Sequence, residues 1–126
     1  MSTNAIERFW AARQEGMWDE VAALVRPGVR ISLPHQGREP SRDEFLTMLH
    51  LVHAPGSETV VERVITGRGL DIAVSASVRR PDGVLQCAGF YELQAGLIER
   101  IEEAWLVPGA GRFDLSTVGP RERGGP

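Results

Sequence analysis

The second half of the chain fixes its architecture. From Thr59 to Val107, four segments rich in Val, Ile and aromatic residues follow one another, separated by short runs of turn residues. The turns are Gly67-Arg68-Gly69, Pro81-Asp82-Gly83 and Gln94-Ala95-Gly96. Connections this short join antiparallel neighbours and leave no length for a crossover. The spacing predicts strands near 59–66, 72–78, 84–93 and 97–107. Along the second of these, Ile72, Val74, Ala76 and Val78 are apolar and alternate with Ser75 and Ser77, so one face is dry and the other polar.

The first half reads as helices. Thr3 or Asn4 can cap a segment carrying Ile6, Phe9, Trp10 and Arg13 at helical spacing, interrupted at Gly16. A second helix is expected from about Asp19, with Trp18, Val21, Ala22, Leu24 and Val25 as its apolar residues and Pro27-Gly28 as its stop. Val29 to Leu33 alternates as a short strand, and Pro34 to Pro40 forms a loop. Ser41 with Glu44 three residues on makes a capping box. The helix it opens carries Phe45, Leu49, Val52 and His53 on one face and ends by Pro55-Gly56. Helices followed by hairpin-linked strands make an α+β domain: a curved, mostly antiparallel sheet wrapped around three N-terminal helices, with a conical pocket between the layers. One domain spans 1–108. A Gly-, Pro- and Arg-rich tail covers 109–126, and its end has the composition of a disordered segment, while Phe113 and Leu115 could fold back onto the body.

Composition removes several function classes. The 126 residues carry 42% apolar and 25% charged side chains and a net charge of −3. That is ordinary for a globular protein, and it offers no basic field for nucleic acid. No segment has the length of a membrane span, no secretory leader is recognisable at the start, and a cytoplasmic protein is the simplest expectation. All 14 basic residues are arginine, an association with GC-rich bacterial genomes that also excludes a lysine Schiff base. The single Cys87 forms no internal disulfide. His50 and His53 lack a third ligand at firm spacing, so no metal is expected, nor any other cofactor.

Glu103 carries the most chemical information. In the strand Glu99–Val107 it shares a face with Ile101 and Trp105. Turned inward it is either a general acid–base with a pKa raised by apolar walls, or one half of an ion pair, with Arg13 of the first helix as the candidate partner. Tyr91, on the face of Cys87 and Gly89, could donate to a substrate oxygen or be a satisfied core tyrosine. His53 and His35 are further proton-transfer candidates, His53 from the helix face and His35 from the loop at the expected rim. On the opposite sheet face Phe90 stands among small residues, which suits a sheet-to-sheet homodimer.

Three stretches resemble the SnoaL-like proteins of the nuclear transport factor 2-like superfamily, relatives of ketosteroid isomerase, scytalone dehydratase and limonene epoxide hydrolase. They are Phe9-Trp10-Ala11-Ala12-Arg13, Met17 to Leu24 with Pro27-Gly28-Val29-Arg30, and the closing Gly96-Leu97-Ile98 with Glu103-Ala104-Trp105. The resemblance covers about residues 4–107. Glu103 stands where the family often has aspartate, and Ala104 replaces an aromatic residue. It implies the cystatin-like roll, a family tendency to dimerise, and a cavity lined by Phe9, Arg13, Leu33, Phe45, Leu49, His53, Ile72, Val74, Ala76, Cys87, Gly89, Tyr91, Ile101, Glu103 and Trp105. The acids and tyrosine that the isomerase pattern needs near Phe9, Leu33 and Gly89 are missing, and no Asp-Arg-Asp arrangement is visible. The expected function is therefore a cofactor-free acid–base enzyme on a small, mostly apolar, polyketide-like molecule, of cyclase, isomerase, dehydratase or epoxide-opening type. The alternative is a non-catalytic ligand-binding or dimerisation domain.

Overall fold

The computed structural model describes residues 2–67, 71–107 and 111–112, with the side chains of 2–4, 35, 111 and 112 outside the description. Most of the Gly67-Arg68-Gly69 turn, the rest of the tail, and Phe113 and Leu115 also lie outside the described residues.

Helices α1 (Ser2–Glu15) and α2 (Trp18–Ala23) open the chain, divided at Gly16, whose φ of +71° suits glycine. Strand β1 (Val25–Ser32), a 3-10 turn at Pro34–Gln36 and helix α3 (Arg42–Val52) follow. The capping box opens α3: the Ser41 hydroxyl accepts from the Glu44 backbone N–H at 3.1 Å, and the Glu44 carboxylate accepts from the Ser41 N–H at 2.9 Å. Strands β2 (Glu58–Thr66), β3 (Asp71–Arg80), β4 (Gly83–Gln94) and β5 (Leu97–Val107) form the antiparallel meander, and β6 (Gly111–Arg112) pairs with the end of β5. The strand order is β1-β5-β4-β3-β2. Only β1 runs parallel to its neighbour, so the sheet is mostly antiparallel and the domain α+β, as expected.

Three local expectations need correction. Helix α1 already begins at Ser2, so Thr3 and Asn4 lie inside it and not at its cap. Pro27-Gly28 does not stop the second helix; α2 already ends at Ala23, and both residues lie inside β1. An edge strand tolerates a proline, and the pairing of β1 with β5 is interrupted between Val25 and Arg30, where Pro27 and Gly28 sit. Val25 is thereby buried as a strand residue rather than as part of a helix. His53 is not the last helical residue but the cap following α3, with its N–H still bonded to the Leu49 carbonyl at 2.9 Å.

The alternation holds in three dimensions. Register places Ile72 opposite Tyr91 and Tyr91 opposite Ile101; Val74 opposite Gly89 and Gly89 opposite Glu103; Ala76 opposite Cys87 and Cys87 opposite Trp105. These rows face the helices. They merge with Ile6, Phe9, Trp10, Phe45 and Leu49 into one buried core. Since one face of β3, β4 and β5 is dry, a slip of one residue would expose the whole set, and that fixes the register.

Candidate functional site

Arg13 is carried by the last turn of α1 and is fully buried. It lies under the sheet because Phe9, Trp10 and Arg13 share one side of the helix. Its guanidinium carbon stands 3.7 Å from the centre of the Trp10 ring and 5.1 Å from that of Phe9, a cation held against aromatic faces. Glu103 comes from the middle of β5, where strand parity turns it inward, and is 1% exposed.

The two meet as an ion pair. Arg13 Nη1 donates to Glu103 Oε2 at 2.8 Å and Nη2 to Oε1 at 3.5 Å. The carboxylate accepts two more bonds, from the Tyr91 hydroxyl to Oε2 at 2.7 Å and from the Trp105 indole N–H to Oε1 at 3.1 Å. The Trp10 indole N–H donates to the Tyr91 oxygen at 3.2 Å. On its other side Arg13 Nε donates to His53 Nε2 at 3.2 Å. Arginine has no lone pair to offer, so Nε2 is the acceptor and the imidazole proton sits on Nδ1, which donates to the Thr59 hydroxyl at 2.9 Å. A continuous buried chain thus runs Thr59–His53–Arg13–Glu103–Tyr91–Trp10, with Trp105 as a branch.

The electrostatics follow from the burial. His53 is pushed down to about 2, by loss of water first and then by the Arg13 and Arg80 charges, so it stays neutral at any ordinary pH. Burial pushes the Tyr91 phenol well up, and the Glu103 charge adds to it. Burial and Glu103 act the same way on the Cys87 thiol. Burial, the largest single influence, would lower Arg13, but Glu103 with smaller help from Tyr91 and Cys87 outweighs it and holds the guanidinium above its usual value. Neutral His53, neutral Tyr91 and a neutral thiol surround one ion pair.

The expected site residues are distributed as follows. Glu103, Tyr91, His53, Arg13 and Trp105 come together in the network, with Phe9 against Tyr91 at a ring-centre distance of 5.9 Å. Leu33, Phe45, Leu49, Ile72, Val74, Ala76, Cys87 and Ile101 are all buried in the core around it. Gly89 lies beneath the Tyr91 ring. His35 is in the 3-10 turn, but its side chain lies outside the described ones. His53 does not couple directly to Glu103, because Arg13 stands between them. His50 is exposed and stacks on Trp18 at 4.2 Å. The Trp10 indole and the Thr59 hydroxyl were not foreseen. Trp10 carried a signal, sharing a helix face with Arg13, whereas Thr59 needs the packing of the α3 terminus on β2. Among the described residues no three His, Cys, Asp or Glu side chains are grouped to hold a metal.

The side chains of the network, Arg13, Glu103, Tyr91, Trp10 and Trp105, are all buried. The surface carries hollows, among them one of about 360 Å³ around Phe90 and Ile65, one of about 310 Å³ along β1 and one of about 170 Å³ between α1 and β2. None of these is lined by Glu103, Arg13 or His53.

N-terminal helices seated on one face of a mostly antiparallel meander with one parallel edge strand match the nuclear transport factor 2-like, cystatin-like fold, and solved structures of that class superpose on the chain. A ketosteroid isomerase-like protein from Kribbella flavida matches with a TM-score of 0.74 at 22% identity, covering 98% of this chain and 90% of its own. A nuclear transport factor 2-like protein of unknown function from Burkholderia xenovorans gives 0.73 at 16% identity, covering 85% and 84%. A limonene epoxide hydrolase-like epoxide hydrolase from Mycobacterium tuberculosis gives 0.66 at 18%, covering 83% and 82%. No protein-family model matches the chain, and no curated protein matches it at a significant level. At these identities the likeness establishes the fold, and the same fold carries unrelated activities. No described helix is long and apolar enough to cross a membrane.

Proposed function

We propose that the chain works as a non-catalytic, homodimeric domain of SnoaL-like type, with its cone closed by its own side chains and its outer sheet face as the working surface. One observation carries this reading: both oxygens of Glu103, the one buried acid among the described residues, are bound by protein donors, and the residue is 1% exposed. A general base needs a free lone pair within reach of a substrate proton. The outer face supports the dimer. Ala73, Ser75, Ala88 and Ala104 make a strip of small residues beside Phe90 and Ile65, the last two each 52% exposed. Glu62 accepts from Ser75, Ser77 and Gln86, which ties the polar groups of that face to one another. Light scattering across a micromolar dilution series tests it. A dimer that Phe90→Glu converts to monomer, while Glu103→Gln leaves it intact, is the expected result; a monomeric wild type refutes it.

A second reading is favoured by the Tyr91–Glu103 contact. A phenol and a carboxylate 2.7 Å apart, flanked by two indole donors, form an acid–base pair that a substrate could exploit once the cone opens. The protein would then be a cofactor-free enzyme acting on a small, mostly apolar, polyketide-like molecule, by cyclisation, isomerisation, dehydration or epoxide opening. Turnover found in a substrate screen and abolished in Glu103→Gln would establish it; undiminished turnover in that variant would remove Glu103 from the chemistry.

A further inference from the structure

We infer that the centre of the cone is a binding seat for a neutral phenol or enol hydroxyl, and that the side chain of Tyr91 occupies this seat as a tethered ligand. The inference names the ligand class of the site discussed above, rests on the cone being filled by its own side chains, and is independent of whether any chemistry follows.

The geometry around Tyr91 is that of a complete ligand site. Inward side chains of a strand stand roughly perpendicular to the sheet. The Tyr91 ring instead lies back along its own strand over Gly89, two residues earlier. A Cβ at position 89 would come within 2.7 Å of Tyr91 Cζ and 2.9 Å of Cε2, and closer still to the hydroxyl oxygen. Only glycine leaves that floor open. The edge of Phe9 closes on the ring at 71°. The hydroxyl finds one acceptor, Glu103 Oε2 at 2.7 Å, and one donor, Trp10 Nε1 at 3.2 Å. Those are the two complementary groups that a neutral O–H asks for.

The charge pattern sets the selectivity. The acceptor is a carboxylate, so the occupant has to donate a proton; a phenolate or a carboxylate ligand would face like charge in a dry site. Arg13 balances Glu103 from the far side and leaves no net charge for a cationic ligand to neutralise. An apolar ring without hydroxyl would leave Glu103 Oε2 and the Trp10 N–H each short of a partner. A free ligand competes with a covalently attached phenol, whose effective concentration is high, so the wild-type chain is held in a self-occupied state.

Emptying the seat tests this. Tyr91→Ala removes ring and hydroxyl together, and p-cresol supplies both as a free molecule. The expected result is that p-cresol raises the melting temperature of Tyr91→Ala by several degrees and binds at least about tenfold more tightly than toluene. Wild type and Tyr91→Phe, whose rings fill the seat, should show no shift. Equal binding of toluene and p-cresol would reduce the site to an apolar hole and overturn the inference. An equal p-cresol shift in wild type or Tyr91→Phe would place the binding elsewhere and overturn it as well. Should Tyr91→Ala not fold alone, it is refolded with p-cresol or toluene and followed by the near-ultraviolet dichroism of its tryptophans. Recovery with p-cresol alone supports the seat, and recovery with neither counts against it. The dimer reading is decided separately by the mass of the wild type.

Discussion

His53 makes a quantitative prediction about acid stability. In the folded chain its imidazole is held neutral to about pH 2, by burial and by the facing Arg13 and Arg80 guanidinium groups. In the unfolded chain it titrates near the ordinary value of about 6.5. The sign follows from proton counting. Below pH 6.5 the unfolded state binds a proton that the native state refuses, so stability falls as pH falls, and the full contribution is present only above that value. Each unit costs about 1.4 kcal/mol, so His53 alone removes about 2 kcal/mol between neutrality and pH 5. That is a large share of a typical domain stability of about 5–15 kcal/mol. The comparator is His53→Gln, whose amide can accept from Arg13 and donate to Thr59 without titrating. Urea denaturation at pH 7.5, 6 and 5 should show the wild type losing ground to the variant by that amount. Most carboxylates titrate lower, and His35 and His50 are common to both proteins, so the difference isolates His53. A ring-proton resonance of His53 with a midpoint above about 5, or a stability difference that does not change with pH, would refute the reasoning.

Three further outcomes follow from the same network. Arg13→Met strands Glu103 without its cation and should cost about 3–5 kcal/mol in urea denaturation, while Arg13→Met combined with Glu103→Leu should recover at least about 2 kcal/mol of the summed single losses; strict additivity would show that the pair is not coupled. Gly89→Ala should cost about 1–3 kcal/mol, because Tyr91 is fixed between Glu103 and Trp10 and cannot yield, and the same change in a Tyr91→Ala background should cost less than half of that. Cys87 is 1% exposed with its thiol pushed well up, so an aromatic disulfide reagent at pH 8 should label it only through unfolding, at a rate that climbs with urea; fast labelling in native buffer would contradict the burial.

What the sequence made legible, and what it hid, divides along a physical line. Parity grouped Ile72, Val74 and Ala76 on one face of β3, Cys87, Gly89 and Tyr91 on one face of β4, and Ile101, Glu103 and Trp105 on one face of β5, because period-2 alternation is local, while the family resemblance turned those three groups together toward the inside. The Ser41–Glu44 box was readable for the same reason. Arg13 as a partner for Glu103 was readable only as one of two possibilities, because its pairing joins residues 90 positions apart. The start of β1 was misread because Pro27-Gly28 is a strong local stop, whereas the parallel edge position that tolerates it is set by β5, some 70 residues later. The Thr59–His53 bond was invisible, since it depends on how the end of α3 packs on β2.

Whether the cone is open or filled is a question of volume, which no period encodes. Trp10, Trp105, Arg13, Tyr91, Phe9 and Phe45 are among the largest fully buried side chains, and they crowd one side of the sheet. A plain core there would be built from aliphatic residues, since exchanging a buried ion pair for well-packed apolar groups is often neutral or stabilising. This chain instead places a guanidinium, a carboxylate, an imidazole, a phenol and two indole N–H groups in the dry centre and gives each a partner. Partial loss of such a network is costly, because the direct partners of the lost group are then left unsatisfied in a dry site. With Tyr91 seated, Glu103 Oε2 and the Trp10 N–H both meet its hydroxyl; with Tyr91 displaced, both lose that partner.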